Sequence, residues 1–131
     1  MMELKTINYL RSYYNIKYST RLVLVLKNSV VKIPINRKGY LQGLNENKIW
    51  NKYNSIAPLA QLRWICIGVV CQKRYNEAIS VPDAKVKEIK GLIPEFDFDN
   101  CDLYNFKNWG IDGKKYILLD YGVNEHIASL Y

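Results

Sequence analysis

The stretch Asn108–Gly122, NWGIDGKKYILLDYG, carries the clearest structural signal in the chain. Asp112-Gly113 lies between two apolar runs, which predicts a two-residue hairpin turn with positive φ at both turn positions. KKYILL supplies the return strand, and Asp120-Tyr121-Gly122 follows it. The same pattern recurs upstream. In Thr20–Ile35, TRLVLVLKNSVVKIPI, two β-branched and leucine-rich runs flank the polar turn Lys27–Ser29. Pro34 has no N–H to give a ladder, so it marks an edge or exit of the second strand. Leu59–Tyr75, LAQLRWICIGVVCQKRY, reads as two further strands around a turn near Gly68.

Helical signals separate these hairpins. Residues 3–14 are apolar at near-helical spacing, which predicts a short N-terminal helix. Residues 36–43, NRKGYLQG, read as a loop with two glycines. Residues 44–56 follow as a helix, with Leu44, Ile49, Trp50 and Tyr53 close to one face and Pro58 beyond its end. Ser80 and Pro82-Asp83 open another helix, which Gly91 and Pro94 close. Residues 95–106, acidic and aromatic without a clear period, read as loop. Antiparallel hairpins with segregated helices define an α+β domain, and 131 residues suit one such domain with one core.

Composition narrows the function classes. With 49% hydrophobic and 24% charged residues the chain is expected to fold into a globule. No apolar run approaches the twenty or so residues that span a bilayer, so no membrane partner is expected. The N-terminus lacks a basic region followed by an apolar segment, so the expected location is cytoplasmic. Cys66, Cys71 and Cys101 lack the two-residue gap of a zinc or redox motif, and Cys66 and Cys71 read as buried thiols. His126 stands alone, without the partners a metal site needs. A net charge of +7 with 11 tyrosines admits nucleic acid as a partner. Against this, the basic residues are scattered, and Lys, Asn, Ile and Tyr are raised together, as AT-rich coding produces.

Four groups of polar residues point to a more specific chemistry. Lys32 lies in a strand, VVKIP, and Glu46 in the helix that follows. Asp102 and Asn108 precede the last hairpin, and Asp120 ends it. Phosphoryl transfer uses such parts: a lysine on the phosphates, a glutamate that orients it, oxygen ligands for Mg²⁺, and an aspartate that accepts a proton.

In this order the residues resemble the protein-kinase-like fold. VVKIP is similar to the lysine-bearing strand of that family, and LLDYG to its metal-aspartate motif. DLYNFKNWG looks like a reduced catalytic loop, and Asp102 and Asp120 are 18 positions apart. The run YSTRLVLVLKNSVVKIPINRKGYLQGLNENKIW, residues 18–50, is similar to short kinase-like proteins of phages and mobile elements. The resemblance implies a small-lobe-like antiparallel sheet with packed helices over 18–75, and a reduced catalytic-loop helix and hairpin over 80–122, within a single domain 1–131. It implies Lys32 and Glu46 as nucleotide-binding residues, Asp120 and Asn108 as Mg²⁺ ligands, and Asp102 as base, with ATP and Mg²⁺ as the cofactors.

The chain also departs from the family. NIKYSTR has no glycine where a glycine-rich loop would cover phosphates. NCD replaces the usual catalytic triplet, and nine residues follow Gly122, with no activation segment. The expectation is therefore a pseudokinase-like accessory protein that binds a host protein in the host cytoplasm. A defence effector, including a CRISPR effector, suits that setting, and exposed tyrosines suit self-association. An active phosphotransferase and a basic nucleic-acid-binding module stand as the alternatives.

Overall fold

The computed structural model describes residues 17–18, 20–98 and 102–130; the helix expected over 3–14 and Cys101 lie outside them. The first sheet is built from β1 (Lys17–Tyr18), β2 (Arg21–Val25), β3 (Ser29–Pro34), β4 (Leu62–Cys66) and β5 (Val69–Lys73). All its pairings are antiparallel, in the order β1-β2-β3-β5-β4. β3 is therefore interior, and Pro34 is tolerated because it is the last residue of the strand. The second sheet joins β6 (Asn76–Glu77), β7 (Trp109–Asp112) and β8 (Lys115–Leu118). The helices are α1 (Arg37–Tyr53), α2 (Asp83–Leu92) and the short α3 (Glu125–Ala128). The α+β class and the C-terminal hairpin are as the sequence predicts.

The turn of that hairpin differs in detail. Asp112 pairs with Lys115, so Gly113 and Lys114 form the loop. Only Gly113 has positive φ, at 64°, which is the sign pattern of a type II′ turn. The turn between β4 and β5 is the one with two positive φ values, 49° at Ile67 and 76° at Gly68. That places a β-branched residue where steric repulsion with its own backbone is strongest.

The largest difference is at α1. Residues 37–43 are helical rather than loop, and Asn36 caps them, its side chain accepting from the Gly39 amide at 2.9 Å. The two glycines are there for contact. A Cβ at Gly39 would lie 2.1 Å from the Thr20 carbonyl oxygen, and one at Gly43 would lie 2.3 Å from that of Gly68. The helix thus lies directly on backbone at the ends of the strands, just before β2 and in the β4–β5 turn. Its buried face is Gly39, Gln42, Gly43, Glu46, Ile49 and Tyr53, and Leu44 points outward, 43% exposed.

The thiols also differ from expectation. Cys71 is buried, but Cys66 is exposed, because β4 is an edge strand and Arg63, Trp64 and Cys66 on it all face solvent.

The main apolar core lies between α1, α2 and the second sheet, and Leu22, Val70 and Cys71 of the first sheet are buried outside it. Ile49 and Tyr53 of α1 join Val86 and Ile89 of α2, Trp109 of β7, and Ile117 and Leu118 of β8. Residues 58–60 tie the sheets together. The Leu118 amide donates to the Pro58 carbonyl at 2.8 Å, and the Ala60 amide to the Leu118 carbonyl at 2.9 Å. Among the described residues no helix is long and apolar enough to cross a membrane.

Candidate functional site: a buried four-charge cluster

Four charged side chains from four segments converge between the first sheet, α1 and the end of β8. Lys32 lies mid-sheet, opposite Val23 of β2 and Val70 of β5. Glu46 lies on the buried face of α1 and is 0% exposed. Lys32 Nζ donates to Glu46 Oε1 at 3.0 Å and to the Leu119 carbonyl at 2.9 Å. Arg21, the first residue of β2, donates from Nη2 to the same Glu46 oxygen at 2.9 Å and to Asp120 Oδ1 at 3.2 Å. Asp120 is the member that reaches water, with a side chain 39% exposed.

The backbone around the cluster is fitted to it. A Cβ at Gly122 would lie 2.4 Å from the Gln42 carbonyl oxygen and 2.8 Å from Glu46 Cγ, so glycine lets residues 120–122 pass against α1. Asn45 holds that passage by donating to the Gly122 carbonyl at 3.0 Å. Tyr121 points into the core and donates from its hydroxyl to the Ala60 carbonyl at 2.7 Å. At the other side the Thr20 hydroxyl donates to the Gln42 side-chain oxygen.

Two positive and two negative charges make the cluster neutral. Burial works to lower the Arg21 pKa, but the carboxylates of Glu46 and Asp120 outweigh it and hold the guanidinium above its ordinary value. Burial works to raise Asp120, and the charges of Lys32 and Arg21, helped by the Gly122 amide, hold it below the ordinary carboxylate value. Burial raises the Tyr121 hydroxyl strongly, with the nearby carboxylates of Glu46 and Asp120 acting the same way. Arg21 Nη1 and Glu46 Oε2 have no hydrogen-bond partner among the described residues. The ion pairs are therefore not fully satisfied, and a pair this buried adds less to stability than its Coulomb attraction suggests.

The structure thus brings Lys32, Glu46 and Asp120 together, as their order along the chain suggests. Asp102 and Asn108 form a separate local cluster before β7. Asn108 donates from its side-chain Nδ2 to the Asp102 backbone carbonyl at 2.8 Å, and Asn105 donates from its side-chain Nδ2 to the Asp102 carboxylate at 3.2 Å. Asn108 meets the main site only through its backbone, its carbonyl accepting from the Leu119 amide at 2.8 Å. Among the described residues no three His, Cys, Asp or Glu side chains are grouped to hold a metal ion.

Arg21 is the member that sequence reading passes over as a site residue. It stands at the head of an apolar strand, where a charged residue ordinarily points to solvent, yet it is 5% exposed. The signal available was the run at residues 18–50, which holds an arginine at this position. No protein-family model, curated protein or solved structure matches the chain.

Proposed function

We propose that this chain is a non-catalytic binding protein, built on a framework similar to the kinase small lobe, that acts by docking on another protein. One observation carries the reading: the aspartate that would hold the metal is paired with Arg21, and the lysine that would hold phosphate is 5% exposed. Lys32 Nζ is occupied by Glu46 and the Leu119 carbonyl, and Asp120 is paired with Arg21. The Lys32–Glu46 pair is common to both readings, but a phosphate would have to reach a lysine that is 5% exposed and already donates to the Leu119 carbonyl. The cluster's role here is architectural, joining β2, β3, α1 and the segment after β8. The resemblance to phage and mobile-element proteins makes a host protein, including a defence effector in the host cytoplasm, the expected partner.

The convergence of Lys32, Glu46 and Asp120 supports a second reading, an ATP- and Mg²⁺-dependent phosphotransferase. In it Asp120 and Asn108 would hold the metal and Asp102 would take the proton. Melting the wild-type protein with millimolar ATP and Mg²⁺ separates the two. Ligand bound to the native state alone raises the melting temperature by mass action. The expected result is no shift; a rise that grows with ATP concentration overturns the binding-protein reading in favour of the enzyme.

A further inference from the structure

The second sheet carries a cleft far in character from the neutral cluster. It has a volume of about 400 Å³ and lies among the 55–58 turn, α2 and the β7–β8 hairpin. Its accessible apolar surface comes from Ile56, Pro58 and Tyr116, while Ile89 and Trp109, which also border it, are almost fully buried. Lys85 reaches it from α2, and Lys114 and Lys115 reach it from the hairpin, against a single carboxylate, Glu88. Lys85 approaches Glu88 only at 3.5 Å, with both side chains about half exposed. Lys114 and Lys115 make no ion pair with any described residue. The cleft therefore combines a limited apolar surface with a rim on which three lysines face one carboxylate.

The hairpin geometry produces that rim. Gly113, at positive φ, turns the chain within two residues, so Lys114 stands in the loop and Lys115 at the first position of β8. Tyr116 follows and lines the cleft. Nothing in the packing of the core requires consecutive lysines here, since all three cations are exposed.

We propose that this cleft is the docking site for an acidic, apolar-containing segment of a partner protein, whose carboxylates meet Lys85, Lys114 and Lys115 while an apolar side chain lies against Pro58 and Tyr116. The inference rests on the binding-protein reading and gives the partner its chemistry. Charge complementarity selects the acidic segment, and the accessible Ile56, Pro58 and Tyr116 favour one that carries an apolar side chain over a bare polyanion. The volume accommodates a few side chains, at the small end of ligand clefts.

The test uses a fluorescein-labelled peptide alternating glutamate with phenylalanine, titrated against the full chain at low and physiological salt. The double variant Lys114→Glu/Lys115→Glu is compared with Lys27→Glu/Lys48→Glu, which has the same net charge and changes exposed lysines outside the cleft. The expected result is binding by the wild type, weakened about tenfold or more by the cleft pair and much less by the control pair. Amide NMR shifts should gather on Lys85, Lys114 and Tyr116 and spare Lys32 and Glu46. Three results overturn the proposal: no wild-type binding at low salt, equal weakening by both pairs, or a single-stranded oligonucleotide that displaces the peptide from these residues. ATP binding at Lys32 would instead fail the reading beneath it, and its shifts would fall on the other set of amides.

Discussion

The charges of Arg21, Lys32, Glu46 and Asp120 and those of Lys85, Lys114 and Lys115 have opposite fates in one small fold. The first group is balanced and shared out among four segments, with three members turned inward and Asp120 alone reaching water. The second is turned outward and left positive around a concave surface. A charge buried among partners is committed to architecture, because removing any one partner strands the rest in low dielectric. A charge on an open rim is weakly coupled to folding and remains available to a ligand.

Glu46→Gln is the sharpest way to break that contrast. It removes the anion on which both Arg21 and Lys32 converge, and loss of about 3–5 kcal/mol is expected by denaturant unfolding. Substituting Lys114 or Lys115 by alanine should change stability by no more than about 0.5 kcal/mol in the same assay. Equal effects would remove the distinction between the two groups. Next in size is Gly122→Ala, which adds no charge. Its Cβ would collide with the Gln42 carbonyl, and overpacking of this kind costs about 1–3 kcal/mol. A neutral result would mean the 120–122 segment is free to move away from α1.

The remaining two effects are smaller. Ile67 holds φ of 49° at a solvent-facing turn, 80% exposed, so Ile67→Asn should stabilise by about 1 kcal/mol by relieving the backbone. Thermal unfolding reads that gain directly. The smallest effect is in pH. Asp120 has a folded pKa below its unfolded value, so its contribution is fully present above about pH 4 and is lost as pH falls through the folded value. Asp120→Asn should flatten the acid limb of a stability–pH curve. An unchanged limb would assign acid sensitivity to other carboxylates.

What the sequence disclosed follows from which forces leave a periodic trace. The hairpins at 21–34, 62–73 and 109–118 are visible because strand residues alternate or cluster and the turns between them carry polar or glycine residues. The sequence pattern misses the start of helix α1 because its first two turns bury Gly39, Gln42 and Gly43, small and polar residues that apolar periodicity does not count. Close backbone approach and ion pairing, rather than apolar burial, fix that end of the helix, and neither repeats along the chain. Lys32, Glu46 and Asp120 were legible as a set through their order. Arg21 was not, since only the three-dimensional closure of the sheet on the 119–122 segment gives a strand-leading arginine two carboxylates. The cleft lysines gave no signal at all, because their meeting depends on how α2 packs beside the hairpin.

The closure of the cluster also has a consequence in time. Arg21 and Asp120 are 99 positions apart, whereas Lys32 and Glu46 are 14 apart. While the chain is being made, the early part of the site therefore holds two cations against one anion. Balance comes only when Asp120 arrives, after the loop closure that high-separation contacts require. The cluster thus cannot reach its final packing until the chain has been made as far as Asp120.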